Sequence, residues 1–211
     1  EPYKDLPVDA SGFVGPPPRV VGLEPCQDFG IYTARKLYLH NAGHAVLGYL
    51  GYLRGHQLGW QALQDPLIAT QLEQAWDEAV RGIVAAYGAN ESSMREHTAD
   101  LRRRFANRTL ADPCVRLGRD PLRKLAPDDR LVGAARLAEQ AGVLPNALAW
   151  GIAAGLRFAP ADDPMAQDLQ ARIREHGVAE VLRQVSAILP DEPLGQAIVE
   201  RYAWLGEGRW P

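Results

Sequence analysis

The sequence predicts a mostly α-helical fold, entered through an extended N-terminal arm. Apolar residues recur at spacings of three and four along most of the chain, which is typical of helices with one buried face. The regular apolar–polar alternation of half-buried strands does not occur after Gly30, so a large sheet is not expected. The length of 211 residues, with 46% hydrophobic and 23% charged side chains, is enough for a domain with a substantial core.

Residues 1–27 are predicted to be an extended arm or an interdomain connector, and residues 28–211 to be the helical domain. Proline fixes the backbone and removes a hydrogen-bond donor, so a proline-rich segment favours extended structure over a helix. Six of the sixteen prolines lie in this arm: Pro2, Pro7, Pro16, Pro17, Pro18 and Pro25.

Asp-Pro dipeptides indicate several helix starts. An aspartate can cap the free backbone N–H groups while a proline occupies the first helical position, where its missing N–H costs nothing. The four dipeptides are Asp65-Pro66, Asp112-Pro113, Asp120-Pro121 and Asp163-Pro164. With the apolar periodicity, they predict helices at 28–56, 66–88, 92–108, 127–141, 145–157, 164–175, 178–188 and 193–206.

The first predicted helix carries a polar strip. On an α-helix with about 100° between successive residues, Lys36, His40 and His44 lie within about 80° of one another, and Asn41 lies about 140° from Lys36. Apolar side chains cover most of the remaining circumference. Glycine is a poor helix former, so the four glycines in this helix predict close approach by another backbone or a ligand. They are Gly43, Gly48, Gly51 and Gly55.

The residue types in this strip suit proton transfer at a hydroxyl or carbonyl oxygen. Lys36 has no carboxylate within one helical turn. Burial without a partner disfavours an ammonium ion, and a lysine in that position can exchange a proton with a substrate. Asn41 and His44 can donate hydrogen bonds to an oxygen that gains charge. We therefore expect Lys36 to lie dry beside Asn41 and His44.

Three other interpretations of this strip stay open. Lysine on a long helix usually lies in solvent, and a histidine on an apolar helix is usually a core residue. His40 and His44 are four residues apart, which suits two metal ligands. However, no carboxylate or cysteine lies at ligand spacing in this helix and the HExxH pattern is absent, so no metal is predicted.

Residues 101–130 form a basic segment within an otherwise acidic chain, with nine basic and four acidic side chains. Arg102, Arg103 and Arg104 are expected on a solvated helix face, paired with acidic residues. The group from Arg116 to Lys124 contains a glycine and a proline, which favour a turn where side chains can converge on one anionic ligand.

Charge and cysteine content limit the classes of partner and compartment. The net charge of −3 gives no reason to expect nucleic acid or an anionic membrane. No apolar run approaches the ~20 residues that span a bilayer, and the opening residues do not resemble a signal peptide. Cys26 and Cys114 favour free thiols in a reducing cytoplasm, with one long-range disulfide as the alternative.

These stretches resemble the mannitol dehydrogenase family, the long-chain polyol-specific dehydrogenases. Lys36, Asn41 and His44 fit the Lys-x4-Asn-x2-His pattern of that family. Residues 34–57 (ARKLYLHNAGHAVLGYLGYLRGHQ) and the segments LPVDASGFVG and RLGRDPLRKLAPDDRL are similar to members that act on mannitol 1-phosphate. The resemblance runs along essentially the whole chain.

The resemblance implies a fold similar to the C-terminal domain of 6-phosphogluconate dehydrogenase, which completes an active site with an N-terminal Rossmann domain that binds NAD or NADP. It implies that Lys36 is the general acid/base, that Asn41 holds the substrate oxygen and that His44 contacts the substrate. Arg116 and Lys124 fall on the family's basic substrate-binding pair. We add Arg119 and Arg123, because a phosphate needs more positive charge than a neutral polyol.

The implied reaction interconverts mannitol 1-phosphate and fructose 6-phosphate with a nicotinamide cofactor. The sequence contains no G-x-G-x-x-G fingerprint, so cofactor-binding residues cannot be placed and the chain alone is not expected to turn over substrate. The alternatives are a free-polyol or hexuronate oxidoreductase of the same family, a non-catalytic helical binding or dimerisation module, and a metal hydrolase.

Overall fold

The computed structural model describes residues 6–211, and their fold is mostly α-helical as predicted. The elements in chain order are β1 (Leu6–Asp9), β2 (Leu23–Cys26), α1 (Phe29–Arg35), a π-helical segment (Lys36–Asn41), α2 (Ala42–Leu53), α3 (Gly59–Gln64), α4 (Pro66–Tyr87), α5 (Glu91–Phe105), α6 (Cys114–Gly118), α7 (Pro121–Lys124), α8 (Val132–Gln140), α9 (Asn146–Leu156), α10 (Pro164–His176), α11 (Val178–Ser186) and α12 (Pro193–Gly206). Short 3₁₀ turns lie at Ala10–Gly12 and Arg108–Leu110.

Within the described part of the arm, β1 and β2 pair in parallel, with Leu6 opposite Leu23 and Asp9 opposite Cys26. These two strands form the sheet that the structure describes. The arm is thus extended, but it is more regular than the sequence suggested. Pro2 and the other residues before Leu6 lie outside the described residues.

Helices α2 and α9 form the centre of the core. Every residue of α9 from Ala147 to Leu156 is buried, and α2 is buried from Ala42 to Gly51 except at His44. Helix α9 packs against α2, α4 and α12, and α4 packs along α8. A helix that is apolar on all sides belongs in the interior, and the many small residues of α9 let its neighbours approach closely.

The buried carboxylate of Glu78 connects two of these helices. Its two oxygens accept hydrogen bonds from the backbone N–H groups of Ala147 at 2.8 Å and Leu148 at 2.9 Å. These amides lie at the start of α9, where backbone N–H groups have no partner within the helix. Glu78 of α4 therefore caps the N-terminus of the central helix from outside.

Each Asp-Pro dipeptide precedes a helix, as predicted. Asp65 caps α4 by accepting from the Leu67 N–H at 3.0 Å, and Arg54 and His56 hold its other oxygen. Asp120 and Asp163 likewise cap α7 and α10. After Asp112-Pro113, helix α6 begins at Cys114.

Asp163 also fixes the conformation of residues 116–124, the segment from α6 to the end of α7 that contains the basic residues and is called the basic turn. Its Oδ1 accepts from Met165 N–H and Ala166 N–H at the start of α10, while its Oδ2 accepts from the Asp120 N–H at 2.9 Å. Asp120 has a left-handed backbone with φ of 62°, an uncommon conformation for a residue other than glycine. The buried carboxylate of Asp163 stabilises this conformation and so positions α7.

Most predicted helices are confirmed within a few residues, and the differences have local causes. The helix predicted at 28–56 runs from Phe29 to Leu53 with a π-helical interruption. The helix predicted at 127–141 begins only at Val132, because the preceding residues form turns. Helices α3, α6 and α7 were not predicted, since four to six residues are too few to establish a periodicity, and the expected turn from Arg116 to Lys124 consists of most of α6, α7 and the residues between them. No helix in the range 6–211 is long and apolar enough to cross a membrane.

Candidate active site

The π-helical segment Lys36–Asn41 lies between α1 and α2 and contains two of the three proposed catalytic residues. The Ala42 N–H bonds to the carbonyl oxygen of Leu37, five residues back. Residues five apart lie about 140° from each other on an α-helix, but this wider turn brings them toward the same face. The local backbone thus places Asn41 nearer to the face of Lys36 than an α-helical projection indicates.

The side chain of Trp76 stabilises the π-helical segment from the core. Its indole Nε1 donates a hydrogen bond of 2.8 Å to the carbonyl oxygen of Leu39. A widened turn disturbs the regular backbone bonding, and a buried carbonyl needs a partner. Trp76 of α4 supplies that partner and ties the segment to the longest helix of the domain.

Lys36 is exposed, so the prediction that its ammonium group is shielded from water is wrong within the described residues. Ala34 and Leu39 of the same helix turn into the core, which leaves Lys36 on the outer face. Its side chain makes no hydrogen bond or ion pair with a described residue. The ammonium group is therefore available at an open face of the domain.

Lys36 lines a cavity of about 260 Å³ together with other basic side chains. Tyr32 and Arg35 of α1, His40 of the π-helical segment, and His97 and Arg104 of α5 complete most of its wall. Burial lowers the pKa of His97 to about 4, with the charges of Arg35, His40 and Arg104 acting in the same direction and Asp100 opposing them. Most of the polar side chains that line the cavity are therefore basic, and the carboxylate of Asp100 lies beside Arg104.

His44 lies deeper than Lys36 and packs among aromatic rings. Its ring stacks on Phe105 with centroids 4.2 Å apart, and the His40 ring meets its edge at 4.7 Å. Burial lowers the pKa of His44 to about 3, and the nearby positive charges of Lys124 and Arg130 add to the effect. His44 is therefore a neutral hydrogen-bonding group at neutral pH.

His44 lines a second, narrower cavity, together with Trp60, Phe105, Asp112 and Leu117. The side chain of Asn41 is half-buried and makes no hydrogen bond with a described residue. The structure thus places Lys36 with His40 and His97, and places His44 on the side toward the basic turn. Asn41 lies between them in sequence, on the π-helical segment.

Gly48 brings the basic turn directly against α2. A Cβ atom at this position would lie 2.7 Å from the backbone nitrogen of Gly118 and 2.8 Å from the Cβ of Leu117. Helices α2 and α6 can pack this closely only because residue 48 has no side chain. The predicted close approach of another backbone is confirmed here, one turn after His44.

Lys124 is buried in the basic turn, and its Nζ donates to the carbonyl oxygen of Leu117 at 2.5 Å. Burial lowers the pKa of Lys124 to about 8, and the charges of Arg130 and Arg123 act in the same direction. Arg116 is exposed and forms an ion pair with Asp112, which lines the His44 cavity. Both residues of the expected basic pair therefore lie near His44.

Arg119 and Arg123 lie on the outer side of the turn. Arg123 forms ion pairs with Asp120 at 2.8 Å and Asp129 at 3.5 Å. Arg119 is exposed and makes no ion pair within residues 6–211. The turn therefore displays one uncompensated arginine, and Arg123 is already held by carboxylates.

Arg102, Arg103 and Arg104 were predicted to lie on a solvated helix face and to pair with acidic residues. Arg102 and Arg103 confirm this prediction, since both are exposed and paired. Arg102 pairs with Glu73 at 3.0 Å and Arg103 pairs with Asp100 at 3.1 Å. Arg104 is half-buried, lies 4.0 Å from the Oδ2 of Asp100, and also lines the cavity beside Lys36. His97 lies seven residues before Arg104, a spacing that puts both on one helix face, and this signal in the sequence was missed.

The described residues contain no group of three or more histidine, cysteine or acidic side chains able to hold a metal ion. Cys26 and Cys114 are free thiols, which confirms that prediction over the disulfide. Cys114 is buried, and burial raises the pKa of its thiol to about 11, so it is inert as a nucleophile at neutral pH.

Residues 28–205 match the mannitol dehydrogenase C-terminal domain, and the chain belongs to this family. The match covers the helical domain and contains all seven residues proposed for the site. The family resemblance inferred from the residues around Lys36 is thereby confirmed.

Curated relatives carry a more specific name. The chain is 39% identical over 201 residues to the mannitol-1-phosphate 5-dehydrogenase of Bacillus subtilis (strain 168), covering 95% of this chain and 53% of that protein. It is 35% identical over 206 residues to the enzyme of the same name from Geobacillus stearothermophilus, covering 97% and 54%. The chain thus spans about half the length of these relatives.

Solved structures show the same fold at low sequence identity. The mannitol 2-dehydrogenase of Pseudomonas fluorescens, in a ternary complex with NAD and D-mannitol, superposes with a TM-score of 0.73 at 21% identity over 89% of this chain and 41% of that one. A D-sorbitol dehydrogenase in substrate-free form gives a TM-score of 0.73 at 18% identity over 92% and 42%.

Proposed function

We propose that this chain is the substrate-handling and catalytic domain of a dehydrogenase that interconverts mannitol 1-phosphate and fructose 6-phosphate with a nicotinamide cofactor. The observation that carries the proposal is the π-helical segment, which presents the side chain of Lys36 at an open face, in the wall of a cavity lined mostly by basic residues. The names of the curated relatives support the choice of substrate.

Lys36 is the general acid/base in this proposal. In the oxidation direction the neutral amine form of Lys36 takes the proton from the reacting hydroxyl and becomes an ammonium group, and in the reduction direction that ammonium group returns the proton to the carbonyl oxygen. The side-chain amide of Asn41 holds the same oxygen and stabilises the charge that develops there. A second surface docked on this face would remove water from Lys36 and complete the site.

His44, Arg116 and Lys124 bind the substrate chain in this proposal. His44 remains neutral at physiological pH, so it donates or accepts a hydrogen bond without adding charge. Lys124 and Arg116 lie on the neighbouring turn, where α2 and α6 are in close contact through Gly48. Arg119 and Arg123 add positive charge at the outer edge of that turn.

The described residues do not fit a dinucleotide site. Strands β1 and β2 are joined by a loop with one 3₁₀ turn and no crossover helix, so they do not form the βαβ unit that binds dinucleotides. We propose that NAD is bound mainly by a Rossmann domain N-terminal to this chain, which serves as its partner on the open face. The half-length match to the relatives supports this arrangement. A sugar phosphate substrate and two free thiols favour a cytoplasmic location.

The test is an assay of the natural protein that contains this chain. Reduction of fructose 6-phosphate with NADH should proceed with a kcat/KM at least tenfold above that for fructose. Activity on fructose alone would indicate a free-polyol dehydrogenase. The absence of activity on any polyol, ketose or hexuronate would refute the proposal and favour a non-catalytic binding module.

A further inference from the structure

We infer that the arm, described here from residue 6 to residue 27, is the surface on which the nucleotide-binding domain of the natural protein docks. The inference rests on the proposed function and deepens it, because it assigns the part of this chain that contacts the proposed Rossmann domain. The contact is made by one apolar face of the β1–β2 sheet and by the loop that joins the two strands.

The described part of the arm has no hydrophobic core. None of residues 6–33 is buried, and the core of the helical domain begins at Ala34. A sheet of two strands is at most marginally stable by itself in water, and a parallel sheet normally has both faces covered. The sheet of the arm therefore needs a cover that residues 6–211 do not supply.

The two faces of this sheet differ in polarity. Side chains alternate between the faces along each strand, and residues opposite each other in the register share a face. Pro7 and Asp9 line cavities against α1, so they mark the inner face, and their register partners are Glu24 and Cys26. The outer face, which points away from the helical domain, consists of apolar residues: Leu6, Val8, Leu23 and Pro25.

The loop between the strands adds further exposed apolar surface. Val14 and Val21 have relative exposures of 107% and 104%, and Val20 is 61% exposed. Three consecutive prolines at 16–18 lie between these valines and restrict the loop, so less conformational freedom is lost when it is bound. Single exposed apolar residues are ordinary, but a group of them beside an apolar sheet face indicates an interaction site.

The extent of the matches indicates which domain covers this surface. The match to the mannitol dehydrogenase C-terminal domain begins at residue 28, directly after the arm. The similarity to the Bacillus subtilis relative covers 95% of this chain, which is more than residues 28–211 supply, so it includes part of the arm. This chain accounts for 53% of that relative. The arm is thus shared with a longer protein but lies outside its C-terminal helical domain, which favours contact with the domain that precedes it.

The strand pairing and the position of the arm favour the same partner. Parallel sheets occur almost only in α/β domains, the class to which the proposed nucleotide-binding domain belongs. Pro7 of β1 lines the cavity that also contains Lys36, so a domain that covers the sheet lies beside Lys36. Docking on the arm therefore brings the second surface that removes water from Lys36 in the proposed mechanism.

Alkylation of introduced cysteines in the natural protein that contains this chain tests the contact without an activity assay. Val21→Cys should react with N-ethylmaleimide about tenfold or more slowly than Leu144→Cys, after each rate is normalised to that of the unfolded protein. Leu144 is the matched control, because it is an apolar residue of the helical domain that is 72% exposed. Equal rates, or a faster reaction at position 21, would overturn the inference.

A second copy of this chain is the other occupant that the labelling distinguishes. Docking within one polypeptide should protect position 21 to the same extent at every protein concentration. Protection that disappears on dilution would show that a separate molecule covers the arm, and would overturn the inference.

Substitution of the loop valines tests the consequence for the site. The double variant Val14→Asp, Val21→Asp should lower the kcat/KM of the natural protein for fructose 6-phosphate about tenfold or more, because a carboxylate in an apolar contact opposes docking. Leu144→Asp should leave it within about twofold. In this chain both variants should unfold at the wild-type urea concentration, since the replaced side chains are exposed. An unchanged kcat/KM in the double variant would overturn the inference, whereas a wild-type protein inactive on every sugar but protected at position 21 would refute the proposed function alone.

Discussion

The indole nitrogen of Trp76 and the carbonyl oxygen of Leu39 form a hydrogen bond of 2.8 Å that joins the longest helix to the π-helical segment. Leu39 lies between Lys36 and Asn41, the two residues on which proton transfer depends in the proposed mechanism. A core tryptophan therefore stabilises the local backbone that positions the candidate site.

Replacing Trp76 with Phe should destabilise the domain and disturb the site. The substitution removes the donor and leaves the buried Leu39 carbonyl without a partner, a loss of about 1–3 kcal/mol in the free energy of unfolding. Trp150→Phe is the control, because Trp150 is also buried but its indole makes no hydrogen bond with a described residue. Urea denaturation should show the larger loss for Trp76→Phe, and equal losses would contradict the role of the bond.

Gly48→Ala should separate α2 from the basic turn. The added Cβ would lie 2.7 Å from the Gly118 backbone nitrogen, so one of the helices must move. We expect a loss of about 1–3 kcal/mol of stability, typical of an overpacked core, together with a raised KM for substrate. Gly12→Ala is the control, since no atom lies within 4 Å of its added Cβ. A Gly48→Ala protein as stable as Gly12→Ala would disprove the close contact.

Glu78→Gln should weaken the cap of the central helix. An amide presents only one acceptor oxygen to two backbone N–H donors, so one hydrogen bond to Ala147 or Leu148 is lost, at a cost of about 1–3 kcal/mol at pH 8. The neighbouring Asp77→Asn is the control, because Asp77 is exposed and its ion pair with Arg95 contributes little. Should the two variants unfold at the same urea concentration, the capping role would be excluded.

The stability of the domain should fall with acidification because His44, half-buried among aromatic rings, is held in its neutral form. Its pKa of about 3 in the folded protein lies below the unfolded value of 6.5, so the unfolded chain binds the proton first as the pH falls. Each pH unit between these values costs about 1.4 kcal/mol. Between pH 7 and pH 5 the wild type should lose about 2 kcal/mol more than His44→Asn. Parallel curves for the two proteins would contradict the assignment of a neutral imidazole to folded His44.

The sequence was sufficient to predict the helical fold where local signals are strong. Pro66–Tyr87 and Pro164–His176 begin with an Asp cap and a Pro and continue with a clear apolar period, and both were found nearly as predicted. Helices α3, α6 and α7 and the pairing of β1 with β2 were missed. Six-residue and four-residue elements contain too few residues to show a period, and their stability comes from tertiary contacts.

The sequence predicted which residues form the candidate site better than it predicted how their side chains are arranged. Lys36, Asn41 and His44 could be selected because polar groups are rare on an apolar helix, but their relative directions depend on the π-helical turn. That turn depends on the hydrogen bond from Trp76, which is distant in sequence. The exposure of Lys36 likewise depends on which parts of the π-helical segment the other helices cover. The cavity with His97 and Arg104 requires α5 to pack against that segment.

The most direct test of the proposed mechanism is the rate of mannitol 1-phosphate oxidation by Lys36→Ala in the natural protein that contains this chain. We expect kcat at neutral pH to fall by about 10²–10⁴, the usual contribution of a general acid/base, with little change in the KM for mannitol 1-phosphate. A kcat within about twofold of the wild type would contradict the assignment of Lys36 and, with it, the mechanism.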